Sequence, residues 1–176
     1  WKKTQAQRNP LKFALFVSYF PQLLQGPIGK YDRLSGQLFA KHTLDWNQIV
    51  RGLERILYGY CKKIILADWA GVFADAIWGN LDTYNGIAFF GLIFYGIQLY
   101  ADFSGAIDIV IGISQLFGIT LDENFRRPYL ATSMADFWKR WHITLGTWFK
   151  DYLFYPLSMS RPLKKLTSRA RKRFGN

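Results

Sequence analysis

From Thr83 to Ala101 the chain runs without a single charged side chain. At about 1.5 Å of rise per residue, a helix of that length matches the roughly 30 Å hydrocarbon core of a bilayer. No other feature narrows the fold so far, because a backbone in lipid must satisfy its own hydrogen bonds, and a single segment does that as a helix. The run passes almost directly into a second apolar one, Phe103 to Leu121, with Asp102 and Asp108 as the only charges. Together they read either as two short crossings or as one long tilted helix. The join also carries Gln98 and Ser104, so its polar groups suit interhelical hydrogen bonds or the lining of a tunnel.

Charge is segregated in the same manner. Half of the residues are hydrophobic and 18% are aromatic, yet the net charge is +11. Long apolar runs beside short charged clusters are the pattern of a bilayer protein with cationic loops, although the mean hydropathy of −0.03 is modest for one. Trp1 to Lys12 holds four basic residues and no acid, and Ser160 to Asn176 holds seven and no acid. The positive-inside rule places both on the cytoplasmic side, and Gly79 to Tyr84, with one acid and no base, becomes an outer loop. A basic run can also bind nucleic acid, but the neighbouring apolar segments argue for a lipid partner and against a nucleic-acid one. The lone Cys61 excludes a disulfide framework or cysteine zinc site and is read as a packing residue. Metal-ligand clusters, phosphate-cradling glycine loops and nucleophile elbows are absent from the sequence, and no bound cofactor is expected. The chain starts at Trp1 and ends in a polar basic run, which reads as the central part of a longer membrane protein.

The remaining segments are all helical in expectation. Residues 13–29 are apolar but interrupted by Pro21 and Pro27, which suits a broken or re-entrant helix. Asp45 is set to cap an amphipathic helix over 46–63, with Ile49, Leu53, Ile56, Leu57 and Tyr60 on one side, lying in the interface. Membrane helices follow over 64–121. Asp68 and Asp75, seven apart, share a face that should point into protein. His42, in the polar lead-in, reads as a solvated loop residue.

The chemistry concentrates in ADFWKRWHITLGTWFKDYLFYPL, Ala135 to Leu157. As one helix over 133–157, it lines up Phe137, Trp141, Leu145, Trp148 and Tyr152 in an aromatic stripe, begun by a Ser133 cap and stopped by Pro156. Asp136 and Arg140 are spaced to pair across one turn. His142 then shares a face with Trp138 and Gly146, leaving room beside the imidazole for a substrate. Spacing alone does not choose between a polar anchor in an aromatic helix and a catalytic base.

Four blocks decide the resemblance: FPQLLQGPIGKY (20–31), YADFSGAIDIVIG (100–112), ENFRRPY (123–129) and FWKRWHITLGTWFKDYLFYPL (137–157). With them the chain resembles the membrane-bound O-acyltransferase (MBOAT) family. It looks most like the bacterial branch of alginate O-acetylation and teichoic-acid D-alanyl transfer proteins. The resemblance implies an all-α, polytopic protein in the bacterial inner membrane, a ring of tilted and broken helices around a central tunnel. An acyl donor, acetyl-CoA or an acylated carrier protein, serves as co-substrate, and the acceptor is a hydroxyl of an extracytoplasmic polysaccharide. An extracytoplasmic acetyltransferase or a cytoplasmic acyl carrier is the implied protein partner. His142 matches the histidine of the W-x-x-W-H block, regarded in the family as an active-site residue. The family's second histidine block, like G-[IL]-W-H-G, has no counterpart here, and His42 has the wrong neighbours to replace it. The acids Asp102, Asp108 and Asp136 are candidates to orient the imidazole or bind acceptor. Trp138, Trp141 and Trp148 are candidates to stack on a sugar or line an acyl channel. The alternatives are D-alanyl transfer to teichoic acid and, from another class, a non-enzymatic membrane conduit.

Overall fold

Asn9 starts the first helix, accepting the N–H groups of Leu11 and Lys12 at 2.9 and 3.2 Å, with Pro10 at the first helical position. Helix α1 (Pro10–Val17) ends at Ser18, and α2 (Phe20–Leu23) begins two residues later, so the apolar 13–29 run is broken there. Helix α3 (Tyr31–Leu38) follows. The structure is a computed structural model that describes residues 6–23, 25–161 and 164, and no strand occurs among them. The chain divides into two compact units, Trp1–Asp122 and Glu123–Asn176.

The first unit is organised by two long rods. Asp45 accepts the Asn47 N–H at 3.0 Å and opens α4 (Trp46–Cys61), as its sequence suggests. Contrary to expectation, α4 is not a separate interfacial helix. A π-helical turn, Lys62–Ala67, carries it unbroken into α5 (Asp68–Gly79). The chain reverses at Asn80, and α6 (Leu81–Tyr84) and a 3₁₀ turn (Asn85–Ile87) lead into α7 (Ala88–Leu116), antiparallel to the first rod. The two apolar runs of the sequence are therefore one helix. Leu81 to Leu116 is the one 36-residue stretch, among the described residues, long and apolar enough to cross a membrane.

Glycine sets how the rods meet. A methyl group built on Gly59 would sit 2.6 Å from the carbonyl oxygen of Gly105, and one on Gly112 would sit 2.6 Å from that of Gly52. Backbone approaches of this kind need small residues, as in packed membrane helices. The buried positions Gly52, Gly59, Ala67 and Ala74 are spaced by seven, eight and seven residues. The eight spans the π turn, whose one extra residue keeps the small side chains facing α7. The larger side chains of the expected interfacial face, Leu53, Leu57 and Tyr60, are exposed, and Cys61, read as a packing residue, is exposed too. Trp69, Val72, Phe89 and Leu92 also point outward, leaving a broad apolar flank of the sort that meets lipid or protein.

One buried charge cluster ties the rods together. Asp108 accepts the Nε and Nη2 groups of Arg55 at 3.1 and 2.9 Å on one oxygen, and the Lys62 ammonium at 2.6 Å on the other. Lys62 also lies over the ring of Tyr58, 4.5 Å from its centroid. Helix α7 ends at Gly118, the left-handed residue (φ 76°) that lets Ile119 N–H reach back to the Ser114 carbonyl at 3.0 Å. His42 is an exposed loop residue that donates to the Gln37 carbonyl at 2.7 Å.

In the second unit a 3₁₀ turn (Pro128–Leu130) precedes α8 (Met134–Arg140), α9 (Ile143–Trp148), a π turn (Phe149–Phe154) and α10 (Tyr155–Met159). The expected single helix over 133–157 is thus interrupted at Trp141–His142. Pro156 does not stop it: the helix continues to Met159. A proline ring crowds the carbonyl four residues earlier and supplies no N–H, and the wider π turn just before it makes room for both. The basic segment over 160–176 lies outside the described residues apart from Ser160, Arg161 and Lys164.

Candidate active site

Helix α8 forms for local reasons legible in its sequence. Ser133 Oγ accepts the Asp136 N–H at 3.1 Å, and Asp136 in turn accepts the Thr132 N–H at 3.3 Å. Its carboxylate pairs with Arg140 one turn on, at 2.9 Å. That guanidinium is the first reason its carboxyl is held below the usual carboxylate range.

The helix then breaks without a glycine or proline to break it. Trp141 is extended (φ −103°, ψ 128°) and His142 is left-handed (φ 45°, ψ 54°). For a residue with a Cβ the left-handed region costs about 1–2 kcal/mol, and such strain persists only where the surroundings enforce it. Here a neighbouring segment does so. Arg126 N–H donates to the Arg140 carbonyl at 2.9 Å, and Ile143 N–H donates to the Asn124 carbonyl at 3.0 Å. Thr144 donates both its N–H and its hydroxyl to Asn124 Oδ1, at 3.0 and 2.7 Å. Residues 124–126 therefore grip the chain on both sides of the Trp141–His142 pair.

Between those grips the rings close up. Trp141 packs edge-on to Phe125 at 5.0 Å, stacks on Phe137 at 5.6 Å, and lies 6.4 Å from Tyr129. Aromatic pairs at these separations add modestly to their area burial, and together they fix the indole. Trp141 is thus the hub of the cluster, whereas Trp138 is exposed. Trp148 stacks on Tyr152 at 5.6 Å further along. His142 is half-buried beside the hub, and burial pushes its imidazole below the ordinary histidine value, towards the neutral form.

Of the residues singled out from sequence, His142, Trp138, Trp141, Trp148 and Asp136 fall within this unit. The shared helical face expected for Trp138, His142 and Gly146 is lost at the break. Gly146 nevertheless returns near Trp138, where a methyl group on it would sit 3.9 Å from the Trp138 carbonyl oxygen. Asp108 and Asp102 belong to the rods of the first unit. Asp108 is paired with Arg55 and Lys62, and Asp102 with Lys63 at 3.0 Å. Asn124 was not singled out. Its sequence signal was its place in the ENFRRPY block, which carried the family resemblance without marking Asn124 itself.

The strained His142 turn lies within a segment that a family comparison covers as part of nearly the whole chain. The model of the membrane-bound O-acyltransferase family, MBOAT, covers residues 5–171. The chain belongs to this family. Among curated MBOAT-type relatives, the probable alginate O-acetylase AlgI of Pseudomonas syringae pv. tomato is 40% identical over 94% of the chain and 32% of its own length. The peptidoglycan O-acetyltransferase of Helicobacter pylori is 42% identical over 86% of the chain and 29% of its own length. The teichoic acid D-alanyltransferase of Bacillus subtilis is 30% identical over 79% of the chain and 36% of its own length. The chain spans about a third of the length of these MBOAT relatives.

Proposed function

We propose that the protein carrying this chain transfers an acetyl or similar short acyl group from a cytoplasmic-side thioester donor to a hydroxyl of an extracytoplasmic polysaccharide. His142 acts as general base. The carrying observation is its half-buried, neutral-leaning imidazole, locked in a left-handed turn by Asn124, Arg126 and the ring cluster. The imidazole takes the acceptor's proton as its oxygen attacks the thioester carbonyl. When the tetrahedral intermediate collapses, the thiolate leaves and recovers that proton from the imidazolium. Such assistance is typically worth about 10²–10⁴-fold. Acetyl is favoured over D-alanyl because the relatives named for O-acetylation are the more similar ones.

A ring of helices around a tunnel, spanning the inner membrane several times, would exclude water from the thioester. This part of the reading rests on the family resemblance and on the one long apolar helix. Acetyl-CoA or an acylated carrier protein is the donor on this reading. An extracytoplasmic acetyltransferase or a cytoplasmic acyl carrier is the partner.

The test replaces His142 by Ala in the full-length protein and measures acyl esters on the cell-surface polymer, with mass spectrometry distinguishing acetyl from D-alanyl. Transfer should fall by about 10²–10⁴-fold. Acylation at wild-type level overturns the role, and a polymer bearing D-alanyl esters overturns the choice of acyl group.

A further inference from the structure

We propose that Asn124 is the positioning residue for His142, acting through its Oδ1 and main-chain oxygens. This rests on the reading of His142 as general base, and it concerns a residue that never touches the substrate. Asn124 is fully buried, with 0% of its surface exposed. Its two oxygens take the first two N–H groups of α9 and the Thr144 hydroxyl, all within 3.0 Å. Those N–H groups have no partner inside their own helix, so a buried acceptor is needed to satisfy them. Asn124 Nδ2, by contrast, has no partner among the described residues. The amide is therefore held for its oxygen.

The placement of these bonds makes them specific to the histidine. Arg126 N–H fixes the Arg140 carbonyl before the strained pair, and Asn124 fixes Ile143 and Thr144 after it. With both ends held, the two intervening residues have little freedom, and His142 keeps a φ of 45° that it would otherwise abandon. Removing Oδ1 takes away the acceptor that both the Thr144 N–H and its hydroxyl share. The turn then relaxes and the imidazole leaves its line of approach. A base misplaced by about 1 Å costs on the order of 100-fold in rate. Substrate affinity depends on other groups, so the loss should fall on kcat and spare KM.

The experiment uses the full-length protein in membranes, with an acetyl thioester and an acceptor polysaccharide. Asn124→Ala is expected to lower kcat roughly 100-fold with KM nearly unchanged. Asn124→Asp, which keeps the acceptor oxygen, should stay within about tenfold of wild type. A change confined to KM, or an equal fall in the Ala and Asp variants, overturns the proposal. If Asn124→Ala does not accumulate, Thr144→Val removes one donor to the same oxygen and should lower kcat about tenfold; an unchanged kcat overturns the proposal. His142→Ala separates the two readings. Full activity in that variant sinks the general-base role, whereas an inactive His142→Ala beside a fully active Asn124→Ala sinks only the positioning role.

Discussion

At the scale of single residues, the protonation of His142 has a sign that can be measured. Burial lowers its folded-state pKa beneath the ordinary 6.5. The free base is present above that lowered value, so transfer should fade only as pH drops through a window beneath 6.5. Stability follows the same direction, because the unfolded chain binds this proton more readily. The contribution is full above 6.5 and lost as pH falls through the folded value. A profile of kcat/KM against pH whose acid limb lies at or above 6.5 would contradict this. Asp108 offers a second residue-level test. With 11% of its side chain exposed, it bridges Arg55 and Lys62. Asp108→Asn removes the charge that bridges Arg55 and Lys62 and should cost up to about 3–5 kcal/mol, read as a lower melting temperature in detergent. Replacing all three by Leu or Met should cost less than that single change. His142 was legible because its neighbours form a specific motif. Its left-handed turn was not, since the bonds enforcing it come from residues 124–126, about 18 positions away, and no periodicity records them. The partners of Asp108 were half-legible: a carboxylate among apolar residues demands a cation, but sequence does not say which.

Element by element, the long rods show where pattern reading misleads. In α4 the larger apolar residues Leu53, Leu57 and Tyr60 stay exposed, and the helix packs on α7 through Gly52 and Gly59, which the apolar pattern did not single out. Burial in water follows bulk, but apposed helices in lipid gain most from close approach, which small residues permit. The start of helix α8, though not its extent, was legible from its Ser133 cap, because a cap is a local device. The π turn over Lys62–Ala67 had no sequence signature and becomes intelligible only from the seam it serves. Its extra residue turns a spacing of seven into eight between Gly59 and Ala67. Deleting Leu66, an exposed residue of that turn, should let an ordinary α turn replace it while Ala67 and Ala74 stay against α7. Deleting Val72 from regular α5 instead rotates everything beyond it by about 100°. The first deletion is expected to preserve folded, detergent-extracted protein to within about twofold, the second to abolish it. Equal loss in both would show that the π turn has some purpose other than register.

On the scale of the whole molecule, the hairpin carries its own polarity. The uncharged Thr83–Ala101 run begins at the turn between the rods, where Asp82 is the one charge and no base is near in sequence. It ends where Lys63 bridges Asp68 and Asp102 at 2.8 and 3.0 Å, with all three side chains about half exposed. The buried Arg55–Asp108–Lys62 cluster lies further along the same direction, followed by Lys41 in the lead-in to α4. Leu81 to Leu116 would measure about 54 Å, well beyond the roughly 30 Å that hydrocarbon requires. That surplus length would let the charged end stand in the headgroup region if the uncharged end crosses. The positive-inside rule predicts that the cations of that end stay in the cytoplasm and that the Asn80–Ile87 turn lies outside. Single cysteines at Asn85 and Lys41, in a full-length protein freed of Cys61 and any other thiol, test this directly. Asn85→Cys should react with a membrane-impermeant maleimide in cells whose inner membrane is intact, and Lys41→Cys only after that membrane is opened. The reverse pattern would invert the hairpin. Labelling of both positions without permeabilisation would mean that the rods do not cross at all.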